Sequence, residues 1–92
     1  IEIWNGSEED DSGNTIIRNT NFKRANLSET VIEGVKFIDC DFQNATLDNA
    51  DVHQISFENC NFKGASMKNF GEHSRFINCT MPDGTIRTDP DP

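Results

Sequence analysis

The sequence predicts an all-β protein, a solenoid in which each coil of the backbone takes twenty residues. Two observations predict it: a large apolar residue stands at every fifth position, and residues twenty apart match in chemical character. The chain has 92 residues, enough for one domain, and its mean hydropathy is −0.66. It contains no run of the roughly 18 to 20 apolar residues that a transmembrane helix needs.

The five-residue period is clearest at the position that we call central. All eleven central residues are large and apolar, which a chain with 34% apolar residues would not produce by chance. They are Ile17, Phe22, Leu27, Ile32, Phe37, Phe42, Leu47, Val52, Phe57, Phe62 and Met67. Neither a helix, with 3.6 residues per turn, nor a strand meander, with a period of two, explains this spacing.

Two further positions of the repeat have their own character. Two residues before each central residue the chain is mostly small, which suits a second and tighter inward position. Two residues after it, seven of eleven positions hold Asn or Gly. These residues tolerate positive φ, so each repeat is expected to end in a tight turn.

Residues twenty apart form chemically matched columns, which indicates four repeats per coil. Phe42 lies between Phe22 and Phe62 in one such column, and Cys40 lies under Cys60 in another. Successive coils would then be about 4.8 Å apart, the spacing of hydrogen-bonded strands.

Several segments resemble the pentapeptide repeat family, whose pattern is A-(D/N)-L-x-x. The resemblance covers Thr15 to about Ile86, and its best examples are Ala25–Glu29, Cys40–Asn44, Ala50–Gln54 and Cys60–Gly64. It implies a right-handed quadrilateral β-helix, here of about three and a half to four coils. The ending Met81–Thr85 is similar to the close of the repeat tract in cyanobacterial members, so we expect a cyanobacterial-type protein.

The period breaks once, because the central position after Met67 would fall on Glu72. The pattern resumes as Ser74/Phe76, Cys79/Met81 and Gly84/Ile86, as if one residue had been dropped. With that deletion Phe76 joins the Phe57 column, Met81 the Phe62 column and Cys79 the Cys60 column. We therefore expect an irregular corner at 69–74, in which Phe70 turns inward.

The ends of the chain are expected to close the solenoid, since an uncovered end exposes a hydrophobic cross-section. Residues 1–14 are interpreted as an N-terminal cap and acidic loop, with Ile1, Ile3 and Trp4 as the lid. Residues 15–86 are the repeat solenoid. Residues 87–92 are interpreted as a frayed C-terminal tail.

The net charge of −8 is concentrated at the two ends. The segment from Thr15 to Met81 contains eight acidic and seven basic residues, so the body is close to neutral. A protein that mimics DNA needs dense negative charge along its body.

Candidate catalytic and metal chemistry is sparse. Cys40, Cys60 and Cys79 share an inward column, where cysteine behaves as a small buried hydrophobe, and their odd number favours free thiols. His53 occupies an outward slot and His73 lies in the irregular corner about one coil above, an arrangement that leaves a shared face open. A convex rod offers no pocket for a triad, so we expect no catalytic, cofactor-binding or metal-binding residues, and no cofactor.

The sequence therefore predicts a non-enzymatic module that binds an unidentified protein partner through rigid faces. The alternative, carried by the resemblance, is a DNA-mimic inhibitor of an enzyme such as gyrase. We expect no binding to nucleic acid and no membrane span, and leave an end-to-end homodimer open. A cytoplasmic location is expected, with the periplasm and thylakoid lumen left open because a leader would not be visible here.

Overall fold

The computed structural model describes residues 13–70 and 74–90, which form an all-β solenoid of about three turns. The strands are short, because the chain turns after every few residues. They are β1 (Thr15–Arg18), β2 (Val31–Glu33), β3 (Val35–Ile38), β4 (Asp51–His53), β5 (Ile55–Glu58), β6 (Ser74–Ile77), β7 (Cys79–Thr80) and β8 (Ile86–Arg87).

The strand pairing confirms the twenty-residue coil. A parallel sheet has the strand order β1-β3-β5-β6, and β2 pairs with β4 in a second parallel sheet. Ile17 lies opposite Phe37, which lies opposite Phe57, so each step along the sheet advances twenty residues. Isolated bridges such as Asn21 with Asp41 and Asn26 with Thr46 continue the same register elsewhere on the coil.

The predicted turns are present at every repeat. All eleven turn positions from Asn19 to Asn69 have positive φ, between 50° and 75°. Gly34 and Gly64 adopt this conformation without strain, and the Asn residues adopt it at low cost. Arg24 and Glu29 are held in it, against their own preference, by hydrogen bonds from their N–H groups to Gln43 O and Asp48 O of the next coil.

We expect Glu29→Asn to raise the free energy of unfolding by about 1 kcal/mol, since Asn tolerates left-handed backbone better than Glu does. The new side chain would also extend a ladder, because Asn69 Nδ2 already donates to Asn49 Oδ1 of the coil below at 3.0 Å. Urea denaturation measures the change. Glu33→Asn, which removes the same charge from an exposed strand position, is the control, and an equal gain there would contradict the explanation.

The core consists of the central and small columns that the sequence predicted. The rings of Phe22, Phe42 and Phe62 are in line, with centroids 4.9 Å apart at each step and planes 7° from parallel. A second ladder, from Phe37 through Phe57 to Phe76, has steps of 5.1 and 5.2 Å. The two ladders meet edge to face, for example Phe42 with Phe57 at 5.6 Å. Aromatic pairs favour both geometries.

The predicted one-residue deletion is confirmed by the last strand pair. Phe57 lies opposite Phe76, only nineteen residues later, and Asn61 bridges to Thr80 with the same offset. Phe70 packs partly buried against the core, tilted by 47° to Phe57 at 6.2 Å. It is therefore turned inward as expected, although residues 71–73 of this corner lie outside the described residues.

The C-terminal end differs from the prediction in two ways. Ile86, expected in an inward slot, is 62% exposed, because β8 turns back and pairs antiparallel with β7 instead of starting another coil. Residues 87–89, expected to be a frayed tail, are bound to the edge of β6. Asp89 N–H donates to Phe76 O at 2.7 Å, and Phe76 N–H donates to Asp89 Oδ2 at 3.0 Å. This contact pairs strand-edge groups that would otherwise be open.

We expect the protein to lose stability in acid partly through Asp89. The Arg87 guanidinium, whose Nε donates to Asp89 Oδ1 at 2.7 Å, and the Phe76 N–H hold the pKa of this carboxyl below its usual value. The contribution of ionised Asp89 to the free energy of unfolding is therefore fully present above the pKa of this carboxyl in the unfolded chain, about 3.9. It is lost as the pH falls through the lower pKa that the carboxyl has in the folded protein. Urea denaturation between pH 6 and 2 should show a shallower decline for Asp89→Asn than for the wild type. Identical declines would contradict this role.

The expected N-terminal lid, Ile1, Ile3 and Trp4, and the first part of the acidic loop lie outside the described residues, as do residues 91 and 92. Over the part that is described, no helix is long and apolar enough to cross a membrane.

Candidate functional site

The three cysteines form a buried column of free thiols. Cys40, Cys60 and Cys79 are 3%, 2% and 0% exposed, and none is in a disulfide. Each thiol donates to a carbonyl of the coil below: Cys40 to Ile17 O at 3.4 Å, Cys60 to Phe37 O at 3.5 Å and Cys79 to Phe57 O at 3.2 Å. The thiols of Cys40 and Cys79 on either side, together with burial, raise the pKa of Cys60. The column therefore fills the core and satisfies carbonyl groups.

We expect none of the three thiols to react with a bulky disulfide reagent while the protein is folded, since a reagent needs access to the thiolate. All three should react in denaturant, which the absorbance of the released thiolate would show. Lys63→Cys, at an exposed position, is the control and should react at once. Rapid reaction of the wild-type protein under native conditions would contradict the burial of the column.

The expected sharing of a face by His53 and His73 lies outside the described residues. His53 is exposed on β4, and its Nε2 lies 2.9 Å from Asp51 Oδ1 on the same strand, while His73 lies outside the described residues. Within 13–70 and 74–90, no three His, Cys, Asp or Glu side chains are placed to hold a metal ion.

A pocket of about 380 Å³, lined mainly by apolar side chains, lies at the C-terminal end of the solenoid. It is lined by Met67, Phe70, Ser74, Phe76, Met81, Pro82 and Arg87. The Arg87 guanidinium lies 4.7 Å from the centroid of the Phe76 ring and is also bound to Asp89. Among the described lining residues there is no carboxylate, histidine or thiol, and most of the side chains are apolar.

The charged outward side chains are distributed unevenly between the faces of the solenoid. In the sheet β1-β3-β5-β6 the outward positions hold Arg18, Lys36 and Arg75 against the single carboxylate of Glu58, and we call this the basic face. Glu58 pairs with Lys36 at 3.7 Å. On the sheet β2-β4 the outward positions hold Glu33, Asp51 and His53, which lies against Asp51, with Val31 54% exposed, and we call this the acidic face.

Comparison with known families gives one result, which covers the first part of the repeat tract. A family model described as pentapeptide repeats (9 copies) matches residues 17–61. Residues 17–61 are therefore similar to pentapeptide repeats. No curated protein and no solved structure matches the chain. The matched segment contains both Phe ladders up to Phe57 and the thiols of Cys40 and Cys60, so the repeats that define the family also build the core.

Pentapeptide repeat proteins are generally non-enzymatic repeat modules. In this chain the repeats hold the outward side chains at regular positions over a buried core. The charge segregation was not predicted, because charge counts along the chain do not show which side chains share a face. Grouping the outward residues into columns of residues twenty apart would have revealed the segregation of charge.

Proposed function

We propose that the protein is a non-enzymatic interaction module that binds a protein partner through the flat faces of its solenoid. The observation that carries the proposal is the segregation of charge on a fully packed core. A basic face and an acidic face stand on the same rigid coils, with core rings such as Phe42 and Phe62 at 0% exposure. Such preorganised faces lose little conformational entropy on binding.

Electrostatic complementarity supports this proposal, because a face with one dominant sign of charge selects partners of the opposite sign and speeds their association. The pentapeptide repeat scaffold contributes stability and holds the outward side chains in fixed positions. The outward residues contribute specificity, since changing them leaves the core intact.

The test compares face variants of the full chain as bait in a lysate of the source organism. Lys36→Glu alters the basic face, Asp51→Lys alters the acidic face, and Lys63→Glu, at an exposed position outside both, is the control. A partner bound by the wild type and the control, but lost with one face variant, should bind again as a purified protein. Identical capture by all four baits would contradict recognition through a face, and turnover of a small substrate would contradict a non-enzymatic role.

The alternative, a DNA-mimic inhibitor of gyrase, is not favoured by any feature of the described residues. A DNA mimic requires negative charge on the faces that the enzyme would grip, whereas the largest sheet carries three basic residues and one acidic residue outward. We expect no inhibition in a supercoiling assay. Inhibition at stoichiometric protein would overturn the interaction-module proposal in favour of this alternative.

We further propose that the solenoid is right-handed and quadrilateral, with three and a half to four coils. Four five-residue repeats fill each twenty-residue step of the strand register, which supports four sides per coil. A cyanobacterial source and a cytoplasmic location stay predictions. The Met81–Thr85 segment that suggested the source forms the turn between β7 and β8, where Gly84 N–H donates to Met81 O at 2.8 Å.

End-to-end association of two copies also stays a prediction. The Asp89 contact occupies part of the β6 edge, so we propose that association at this end would use the apolar pocket and not strand pairing. Sedimentation over a range of concentrations tests it, and a monomer mass throughout would contradict it.

A further inference from the structure

The two methionines of the chain each take the last inward place of a core column among the described residues. Met67 continues the leucine column above Leu47, at the regular step of twenty residues. Met81 continues the phenylalanine column above Phe62, at the shortened step of nineteen residues. Both columns therefore end in a flexible thioether, which replaces a leucine side chain in one and an aromatic ring in the other.

Both methionines line the pocket of about 380 Å³ at the C-terminal end of the solenoid. The column members below them, Leu47 and Phe62, are 1% and 0% exposed, whereas Met67 and Met81 are only partly buried against the core. A small oxidant can therefore reach both thioethers from the solvent.

The three thiols of the chain are protected where the thioethers are not. Cys40, Cys60 and Cys79 are at most 3% exposed, and each donates to a backbone carbonyl of the coil below. A thiol reacts with a peroxide as its thiolate, which requires access and surroundings that favour the charge. A thioether has no proton to lose. Of the five sulfur atoms of the chain, those of the two methionines are therefore the ones that an oxidant reaches in the folded protein.

Arg87 connects this pocket with the segment that closes the end of the solenoid. It lines the pocket together with both methionines, and its Nε donates to Asp89 Oδ1 at 2.7 Å. Asp89 in turn binds Phe76 of β6, whose N–H donates to Asp89 Oδ2 and whose carbonyl accepts from Asp89 N–H. A sulfoxide oxygen accepts hydrogen bonds, so a sulfoxide in this wall would compete with Asp89 for the guanidinium and place a polar group among apolar side chains.

We propose that Met67 and Met81 are a methionine-oxidation site, which takes oxygen from a hydroperoxide and thereby weakens the attachment of residues 87–89 to β6. In each reaction a lone pair of Sδ forms the new S–O bond while the O–O bond of the hydroperoxide breaks. The sulfur loses two electrons to the hydroperoxide. The proton of the transferred oxygen moves to the departing oxygen, which leaves as water or an alcohol. The site does not depend on the proposed function, because the reaction requires only the accessible thioethers.

The test treats the folded full chain with hydrogen peroxide at neutral pH and follows its mass. We expect one and then two added oxygen atoms, which peptide mapping should assign to Met67 and Met81. All three thiols should still be titrated afterwards in denaturant. Loss of thiols before the methionines gain oxygen would overturn the proposal, and so would oxygen uptake by the methionines only in denaturant.

Hydrogen exchange tests the effect on the end of the solenoid. The amides of Phe76 and Asp89 should exchange on the order of tenfold faster after oxidation, the change expected when their hydrogen bonds are weakened. The amide of Phe42, which donates to Asn61 O within the core, should keep its rate. Unchanged exchange at Phe76 and Asp89 in the fully oxidised protein would overturn the weakened attachment.

Met67→Leu combined with Met81→Leu is the control, since leucine is apolar and similar in size to methionine. After peroxide treatment this double variant should carry no added oxygen at either position and keep the slow exchange of Phe76 and Asp89. Faster exchange there would contradict the proposal, because the cause would lie outside the two thioethers. Should the variant not fold, oxidised wild-type protein treated with methionine sulfoxide reductases decides, because reduction reverses the modification. Slow exchange should then return, and its failure to return would contradict the proposal.

Discussion

Phe42→Ala is expected to lower the free energy of unfolding by about 3–5 kcal/mol, a large part of the stability of a small domain. Phe42 is 0% exposed and lies between Phe22 and Phe62, with 4.9 Å between ring centroids on each side. It also meets Phe37 and Phe57 edge to face, at 5.4 and 5.6 Å. Truncation would therefore leave a cavity that rigid strands above and below cannot close.

Two further variants are compared with Phe42→Ala, and urea denaturation measures the free energy of unfolding of each. Phe22→Ala should cost less, because Phe22 is at the end of its ladder and only partly buried. Lys63→Ala, exposed on the outside, should change the free energy of unfolding by less than about 0.5 kcal/mol. A similar loss for Phe42→Ala and Lys63→Ala would show that the inward and outward positions are wrongly assigned.

Insertion of one Asn after Asn49 is expected to prevent the solenoid from folding beyond that point. The insertion shifts every later residue by one position, which moves Val52, Phe57 and Phe62 from inward to outward slots. The free energy lost by exposing so many buried side chains exceeds the total stability of about 5–15 kcal/mol that is typical of a domain. Circular dichroism and the thermal midpoint of the purified variant would show the loss of structure.

The matched control is one Gly inserted between Asn69 and Ser74. It changes the only nineteen-residue step of the sheet, Phe57 to Phe76, into a twenty-residue step at a corner that is already irregular. Residues on both sides keep their slots, so the protein should fold with a thermal midpoint near that of the wild type. Equal damage from the two insertions would contradict the view that only the regular corners fix the register.

The periodic part of the fold was predictable because each repeat buries the same positions. A core slot such as Phe42 or Ala45 can be assigned from its column alone, and the displaced pairing of Phe57 with Phe76 follows from counting residues. The positive φ of the turn positions follows from the recurrence of Asn and Gly, even where Arg24 or Glu29 takes their place.

The C-terminal end was not predictable in the same way. Ile86 continues the five-residue pattern but is exposed, because the chain reverses and residues 87–89 bind the open edge of β6. That reversal depends on which edge groups lack a next coil, which is a property of the assembled solenoid. The pocket beside Phe70 lies at the same end, and Arg87 of the returning chain is among its lining residues.

The candidate sites also include a part that could be predicted from the sequence and a part that could not. The thiols of Cys40, Cys60 and Cys79 could be placed in the core from their spacing, and the structure puts all three there. The basic face could not be found from charge counts along the chain, because Arg18, Lys36 and Arg75 meet only after the coils are stacked.

The most direct test of the account is the set of nuclear Overhauser effects between phenylalanine rings in selectively labelled protein. The account predicts cross-peaks from the ring of Phe42 to the rings of both Phe22 and Phe62, its neighbours at 4.9 Å. Absence of both cross-peaks in the folded protein would mean that the coil does not take twenty residues.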